Sequence, residues 1–321
     1  MKNAKKAYKQ VGKGILVFAA SSIIAQIILI LINYAVTGSK DVTYNNLYDW
    51  LLTFIPIYMV GFPLGYYVLQ HLPVSKAKPK KFGIKKLIVL FLECEFIMYI
   101  GNIIGTGLSF VFSFGKATNP VLDLMTGDVL LRMIVVSIVA PIIEELFFRK
   151  ILMDRVLKFG EKTAIIFSAF TFAMFHMNLY QMFYAFGVGL IFAYIYAKTR
   201  NVKYTIGFHI IINFFGGVIA PLIVSNVNIE ALNNLHLLSE QELVKTLISA
   251  SILLIYAFIK LVLVIIGAIL LAKNSKTITF KKALITKENE IKIPYFNIYY
   301  GLFFGICVIF TIMSLFSLHI L

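Results

Sequence analysis

Three short segments of this chain combine carboxylate, imidazole and amide side chains at helical spacing. They read EELFFR at 144–149, FAMFH at 172–176 and HIIIN at 209–213. A carboxylate and an imidazole can together activate water, and a second imidazole with an amide N–H can stabilise a developing oxyanion. This combination of groups indicates hydrolysis of an amide bond by activated water.

Helical spacing decides which of these side chains can meet. Glu145 and Arg149 are four residues apart, so they share one helix face and can form an ion pair. Glu144 points about 100° away from Glu145 and is left without that partner. His209 and Asn213, also four apart, share a face of a second helix.

Residue types alone leave two mechanisms open. A carboxylate near apolar walls holds a proton more tightly than in water, which suits a general base. Two histidines and one glutamate are equally a usual zinc-ligand set with one open position, in which case the remaining glutamate is the base. The sequence predicts activated water in both cases and does not separate them.

The composition predicts that these groups lie in a membrane. Of the 321 residues, 60% are apolar and 14% are charged, and the mean hydropathy is +0.88. Soluble proteins are nearer 45–50% apolar and about 25% charged. A soluble enzyme is therefore excluded. The two cysteines, Cys94 and Cys307, lie within apolar runs and indicate neither a disulfide framework nor a cysteine metal site.

The apolar residues form blocks of about 20, the length that crosses a bilayer. We predict an all-α polytopic membrane protein with nine spans, at about 14–36, 50–70, 87–114, 129–149, 163–178, 179–197, 204–224, 246–272 and 295–320. Basic residues cluster on one side of these spans, at the amino terminus and around 76–86, 149–162, 198–203 and 273–292. Since lysine and arginine accumulate in cytoplasmic loops, the amino terminus is predicted to be cytoplasmic. The net charge of +15 then reflects topology and does not indicate nucleic-acid binding.

Depth in the membrane brings the three segments to one layer. Counting inward from the flanking cytoplasmic charges at 1.5 Å per residue places Glu144 and Asn213 roughly 15 Å deep, His176 roughly 21 Å and His209 roughly 9 Å. Ionisable groups at such depth are costly and indicate function. We therefore expect one wet cavity in or near the inner half of the membrane.

The three motifs, in this order, resemble those of the CPBP family of intramembrane proteases (CAAX proteases and bacteriocin-processing enzymes), also called the Abi or type II CAAX prenyl endopeptidase-like family. The resemblance covers about residues 126–224, a catalytic core with four spans. Residues 1–125 and 225–321 are then flanking parts, with three and two spans.

The resemblance implies an intramembrane endopeptidase and suggests a role for each motif residue. Glu144 would be the water-activating base, assisted by His176, while His209 and Asn213 would form the oxyanion site. Glu145 and Arg149 would order the acidic helix. The family is named as metalloendopeptidases, and a metal-dependent enzyme would use Glu145, His176 and His209 as zinc ligands. Metal-free water activation is the version favoured here.

Partners and location follow from the same reading. The composition, rich in lysine, isoleucine and asparagine, is typical of a bacterial chain, so we expect a multi-pass protein of a bacterial cell membrane. The expected partners are lipids and a peptide or membrane-protein substrate, with a role in peptide maturation or bacteriocin self-immunity. The alternative is a non-catalytic immunity or regulatory protein that binds a peptide in the same cavity. A proton-coupled transporter would be expected to contain an inverted repeat, and none is apparent.

Four further charged residues lie within predicted spans: Glu93, Glu95, Arg132 and Lys260. Glu93 and Glu95, two apart on one helix, should face nearly opposite ways, so that one of them faces the cavity. Lys260 lies near the middle of the eighth predicted span. We predict that Lys260 neutralises Glu93 or Glu95 across a helix interface.

Overall fold

The computed structural model describes residues 2–38, 42, 44–75, 77–275, 279–280 and 294–316. Within these ranges the regular secondary structure is entirely helical, so the expected all-α polytopic architecture is confirmed. The helices are α1 (Lys2–Thr37), α2 (Leu47–Leu69), α3 (Ile84–Phe112), α4 (Val121–Thr126), α5 (129–156), α6 (Glu161–Met174), α7 (Leu179–Thr199), α8 (Val202–Ser225), α9 (Ile229–Asn233), α10 (Glu240–Asn274) and α11 (Ile298–Leu315).

Seven helices in the described ranges are long and apolar enough to cross a membrane: α1, α2, α3, α7, α8, α10 and α11. The other two predicted spans coincide with α5 and α6. Helix α6 has 14 residues, about 21 Å, which is shorter than the ~30 Å of a hydrocarbon core. The multi-pass membrane placement is confirmed, whereas the number nine and the cytoplasmic amino terminus remain predictions.

Part of the predicted topology rests on residues outside the described ranges. These are Lys40, Asp41, Lys76, Lys276, Lys281, Lys282, Lys287, Lys292 and the end of the ninth predicted span at 317–320. The division of the chain into parts at 1–125, 126–224 and 225–321 also remains a prediction.

Three helices contain a wide turn just before a proline. The π-helical turns are Pro56–Gly61 in α2, Val135–Val139 in α5 and Phe215–Ile219 in α8. Each turn ends two residues before a proline, namely Pro63, Pro141 and Pro221. In α5 the Ala140 N–H bonds to Val135 O, five residues back. Because proline has no N–H, the helix widens there by about one residue, which also rotates the preceding segment about the axis.

Helix α7, which carries part of the site, lies very close to α3. A Cβ added at Gly101 of α3 would lie 2.5 Å from the backbone of Tyr184 in α7, and Gly105, one turn on, is similarly close to Leu179. Glycines four residues apart allow helix backbones to approach in this way. The small-residue face of α3 therefore sets the position of α7.

A polar junction fixes the end of α5 against α7. The Asp154 carboxylate accepts from the Tyr196 hydroxyl at 2.6 Å and from Arg200 Nη1 at 2.7 Å. Arg200 also donates from Nη2 to Ser75 Oγ at 2.8 Å, which joins the loop after α2. All of these residues except Ser75 lie at helix ends, so the junction sets the axial positions of α5 and α7.

We expect Gly101→Ala to destabilise the protein, because the added methyl group would meet the backbone of α7, which cannot rotate away. Overpacking of this kind costs about 1–3 kcal/mol. Gly107→Ala is the matched control, since nothing lies within 4 Å of a Cβ at Gly107 on the same helix. Thermal unfolding in detergent should show a lower midpoint for Gly101→Ala alone, and equal midpoints would contradict the close approach.

Candidate active site

A cavity of about 180 Å³ lies among the seven helices from α2 to α8. Four of the six predicted site residues line it, namely Glu144, His176, His209 and Asn213. Its remaining walls are largely apolar and come from Phe54, Tyr58, Met98, Leu124, Val136, Ala140, Phe172, Gln181, Tyr184, Ala185, Val188 and Ile212. The other two predicted residues, Glu145 and Arg149, lie behind the cavity wall.

Glu145 and Arg149 form a fully buried ion pair. Arg149 Nε lies 3.1 Å from Glu145 Oε2, and neither side chain has any exposed surface. Arg149 Nη1 donates to Ser168 Oγ at 2.9 Å, and the Arg149 guanidinium lies 4.8 Å from the centre of the Phe172 ring. The pair therefore joins α5 to α6 through groups that have no access to water.

His209 lies between the two glutamates. Its Nδ1 is 3.2 Å from Glu145 Oε1, and its Nε2 is 3.8 Å from Glu144 Oε2. Because an ionised carboxylate can only accept a hydrogen bond, Nδ1 must carry a hydrogen. Nε2 is then the ring nitrogen that faces Glu144 and the cavity. The ion pair with Arg149 thus fixes His209 through Glu145.

Glu144 is the accessible carboxylate of the pair. Its side chain is 25% exposed, in contrast to Glu145. The Tyr58 hydroxyl donates to Glu144 Oε1 over a long 3.5 Å. Tyr58 was not a predicted site residue, since its only sequence signal is the proline-flanked turn of α2 in which it lies.

His176 is oriented by the end of its own helix. The last carbonyls of a helix have no intrahelical partner, and one of them, Phe172 O, lies 3.0 Å from His176 Nδ1. A carbonyl only accepts, so Nδ1 carries the hydrogen and Nε2 keeps a lone pair. The Phe172 ring stands edge-on to both imidazoles, at 4.9 Å from His176 and 5.8 Å from His209.

Asn213 bonds to the carbonyl that the wide turn of α5 releases. Its Nδ2 donates to Val136 O at 2.9 Å, five residues before Pro141. An amide nitrogen has two hydrogens, so one N–H of Asn213 is still able to donate at the cavity wall. His209 and Asn213 share a helix face, as predicted, but they contact different groups of α5.

Helix α7 contributes two polar residues that the sequence did not single out. Gln181 Nε2 donates to the Tyr184 hydroxyl at 3.1 Å, while Gln181 Oε1 accepts from Asn178 Nδ2 at 2.8 Å. The Tyr184 hydroxyl therefore keeps its own hydrogen for another acceptor in the cavity. No local motif marks Gln181 or Tyr184, because their place in the site depends on the close approach of α7 to α3.

The zinc alternative does not fit the donor arrangement. The described residues include no group of three histidine, cysteine, aspartate or glutamate side chains placed to hold a metal ion. Glu145, one of the three suggested ligands, already contacts Arg149 with one oxygen and His209 with the other. We therefore derive no step through a metal.

The predicted pairing of Lys260 is confirmed. Its ammonium group forms an ion pair with Glu95 across the interface of α3 and α10. Glu93 accepts from Asn274 Nδ2 at 2.9 Å, also on α10. The expectation that one glutamate faces the cavity was wrong, because the side chains of Glu95 and Glu93 both reach α10, one at its middle and the other at its carboxyl end.

Comparison with known proteins agrees with this geometry. Residues 126–215 match the family model of type II CAAX prenyl endopeptidases, Rce1-like. The resemblance predicted from the motifs is confirmed over these residues. All six motif residues lie within the matched range.

One curated relative is the Bacillus subtilis (strain 168) protein named "Putative membrane peptidase YdiL". It is 33% identical over 125 residues, which is 37% of this chain and 50% of the relative. The chain thus covers half the length of that relative. No solved structure matches the chain.

We expect Arg149→Met to destabilise the protein strongly, because it leaves the Glu145 charge buried without its cation. Breaking a buried pair in this way costs about 3–5 kcal/mol. The neighbouring Lys150 is the matched control: its side chain is 51% exposed in its ion pair with Asp154, and such pairs contribute about 0–1 kcal/mol. Denaturant unfolding in detergent should separate Arg149→Met from Lys150→Met, and adding Glu145→Gln to Arg149→Met should recover part of the loss.

Proposed function

We propose that this protein is an intramembrane endopeptidase that hydrolyses a peptide bond with water activated by Glu144. The observation that carries the proposal is the position of Glu144, a partly exposed carboxylate in an otherwise largely apolar cavity that also contains two imidazoles of fixed orientation. The match to type II CAAX prenyl endopeptidases and the name of the Bacillus relative support the same class of reaction.

In the proposed reaction, Glu144 takes a proton from water as the water oxygen attacks the peptide carbonyl carbon. His176 holds this water through the lone pair on Nε2, since its Nδ1 hydrogen is directed at Phe172 O. Collapse of the tetrahedral intermediate breaks the C–N bond, and Glu144 returns the proton to the leaving nitrogen. The products are a carboxylic acid and an amine, which then ionise to a carboxylate and an ammonium group, and no further reactant is needed.

The negative charge of the intermediate would develop opposite α8. Asn213 has one N–H left to donate, and His209 can donate from Nε2 when its ring is protonated. Glu145 accepts from Nδ1 of that ring, so it would stabilise a protonated His209 in the intermediate, in which Glu144 has taken up the proton of water. Preorganised donors of this kind are worth about 10²–10³ in rate each. Glu145 and Arg149 act as positioning residues, because they hold His209 and are shielded from the cavity.

The substrate class proposed here is a peptide segment of a membrane-associated protein or peptide precursor. The site lies among helices that are apolar enough to span a membrane, so a substrate reaches it from the bilayer or its surface. Peptide maturation and bacteriocin self-immunity are the roles proposed for such cleavage. Non-catalytic binding of a peptide in the same cavity is the alternative that the experiments below test.

We expect Glu144→Gln to abolish peptide cleavage, because the amide has the shape of the carboxylate and cannot accept the proton. The measurement is mass spectrometry of a randomised apolar peptide library incubated with the purified protein in lipid nanodiscs. Glu230→Gln, on the short helix α9 and outside the cavity, is the control and should keep full activity. Cleavage by Glu144→Gln at the original rate would remove Glu144 as the base, and no cleavage by the unmodified protein would favour the binding alternative.

We expect His176→Ala to lower the cleavage rate by about 10²–10⁴, the usual contribution of a general acid–base group. His236→Ala is the matched control, since His236 is an exposed histidine outside the cavity. The rate should be compared on the same peptide in single-turnover assays, with unfolding midpoints to show that both variants are folded. Equal rates for the two variants would mean that His176 only packs against Phe172.

A further inference from the structure

One buried charge has no part in the mechanism above. Arg132, near the start of α5, is 2% exposed, and its Nε and Nη1 have no hydrogen-bond partner in the described part of the chain. Asp128, four residues earlier on the same helix, attracts the guanidinium electrostatically, but its carboxylate is exposed and caps the helix by accepting from the Leu131 N–H at 2.8 Å. No carboxylate of the described residues lies within 4.0 Å of the guanidinium. A buried cation without a close ion pair is costly, so it indicates a function.

The direction of Arg132 follows from the face of α5 on which it lies. Val136, Ala140 and Glu144 line the cavity and follow Arg132 at intervals of four residues. Ile134 and Ile138, half a turn away, are 41% and 40% exposed on the outer face of the helix. Arg132 therefore lies on the inner face, one turn beyond the cavity wall formed by Val136.

The wide turn brings Arg132 into phase with Glu144. On a regular helix, residues twelve apart differ by about 120° around the axis. The π-helical turn Val135–Val139 takes up about one residue, which reduces the difference to about 20°. Glu144 and Arg132 thus lie on the same face of α5, about 16–18 Å apart along its axis.

We propose that Arg132 binds a carboxylate of the peptide substrate just beyond the cavity wall at Val136, on the side away from Glu144. A guanidinium is suited to this ligand, since its parallel N–H groups match the two oxygens of a carboxylate. An extended peptide advances about 3.3 Å per residue, so the bound carboxylate lies about five residues from the bond that is cut. It is either the terminal α-carboxylate or a glutamate or aspartate side chain. This inference rests on the proposed function, because only that function makes the bound peptide a substrate.

The experiment measures binding, so that it does not depend on catalysis. Fluorescent apolar decapeptide pools are titrated against the full chain carrying Glu144→Gln in nanodiscs. One pool has a free carboxyl terminus, a second has a terminal amide, and a third has the amide and one internal glutamate. We expect the free-acid pool, the glutamate pool or both to bind at least tenfold more tightly than the plain amide, and Arg132→Gln to abolish this difference.

The pools separate the possible sources of the carboxylate. Preference for the free-acid pool alone identifies a terminal carboxylate, and recovery by the glutamate pool identifies a side chain. Lys116→Gln, which removes an exposed cation, should leave the preference unchanged. Equal binding of all three pools, or an equal loss for all three in Arg132→Gln, would overturn the proposal.

A stability measurement tests the structural alternative. Removal of an unpaired buried charge should leave the unfolding midpoint of Arg132→Gln at or above that of Lys116→Gln. A clearly lower midpoint would give Arg132 a structural role and would also overturn the proposal. Carboxylate-dependent binding without any cleavage of the pools by the unmodified protein would support this inference while contradicting the proposed protease activity.

Discussion

The buried ion pair between Glu145 and Arg149 is the interaction on which the site depends. Neither side chain has any exposed surface, and a buried charge is tolerated only when it is paired. The packing of α5 must therefore keep Glu145 and Arg149 in contact. Arg149 then reaches Ser168 on α6, and Glu145 reaches His209 on α8. Three helices are thus joined by contacts to charged groups in a region without water. The same arrangement leaves Glu144, the adjacent residue on the helix, facing the cavity.

The wide turns explain how a membrane helix can contribute backbone groups to a polar site. A proline within a span frees a carbonyl, which must find a partner because lipid offers none. In α5 that partner is Asn213, so the same amide that lines the cavity also satisfies the backbone. The extra residue in the turn rotates the start of α5 and sets which side chains share the inner face. The break in the helix therefore determines part of the site's chemistry.

Sequence spacing was sufficient where partners lie on one helix or carry opposite charges in an apolar region. It predicted the Glu145–Arg149 pair, the different direction of Glu144 and the pairing of Lys260 with a glutamate of α3. It did not predict Tyr58, Gln181 or Tyr184, because these enter the cavity through packing between distant segments. The approach of α7 to α3 depends on glycines whose partner cannot be read from either helix alone. Likewise, the partners of Glu93 and Glu95 depend on the length of side chains that reach along α10, which residue spacing does not reveal.

The contrast among the buried charges bears on how this protein uses them. Glu95 has Lys260, Glu161 has Lys198 at 2.5 Å, and Asp154 has Arg200, so each of these charges is balanced within the chain. Arg132 and Glu144 differ from them: neither has an ion-pair partner of fixed charge within 4.0 Å, and both lie on the inner face of α5. A buried charge without a partner in the chain is tolerated where a bound molecule supplies the opposite charge. A bound peptide could place a carboxylate at Arg132 and the carbonyl that reacts at Glu144. The distance along α5 between Arg132 and Glu144 would then set how many residues separate the carboxylate from the bond that is cut.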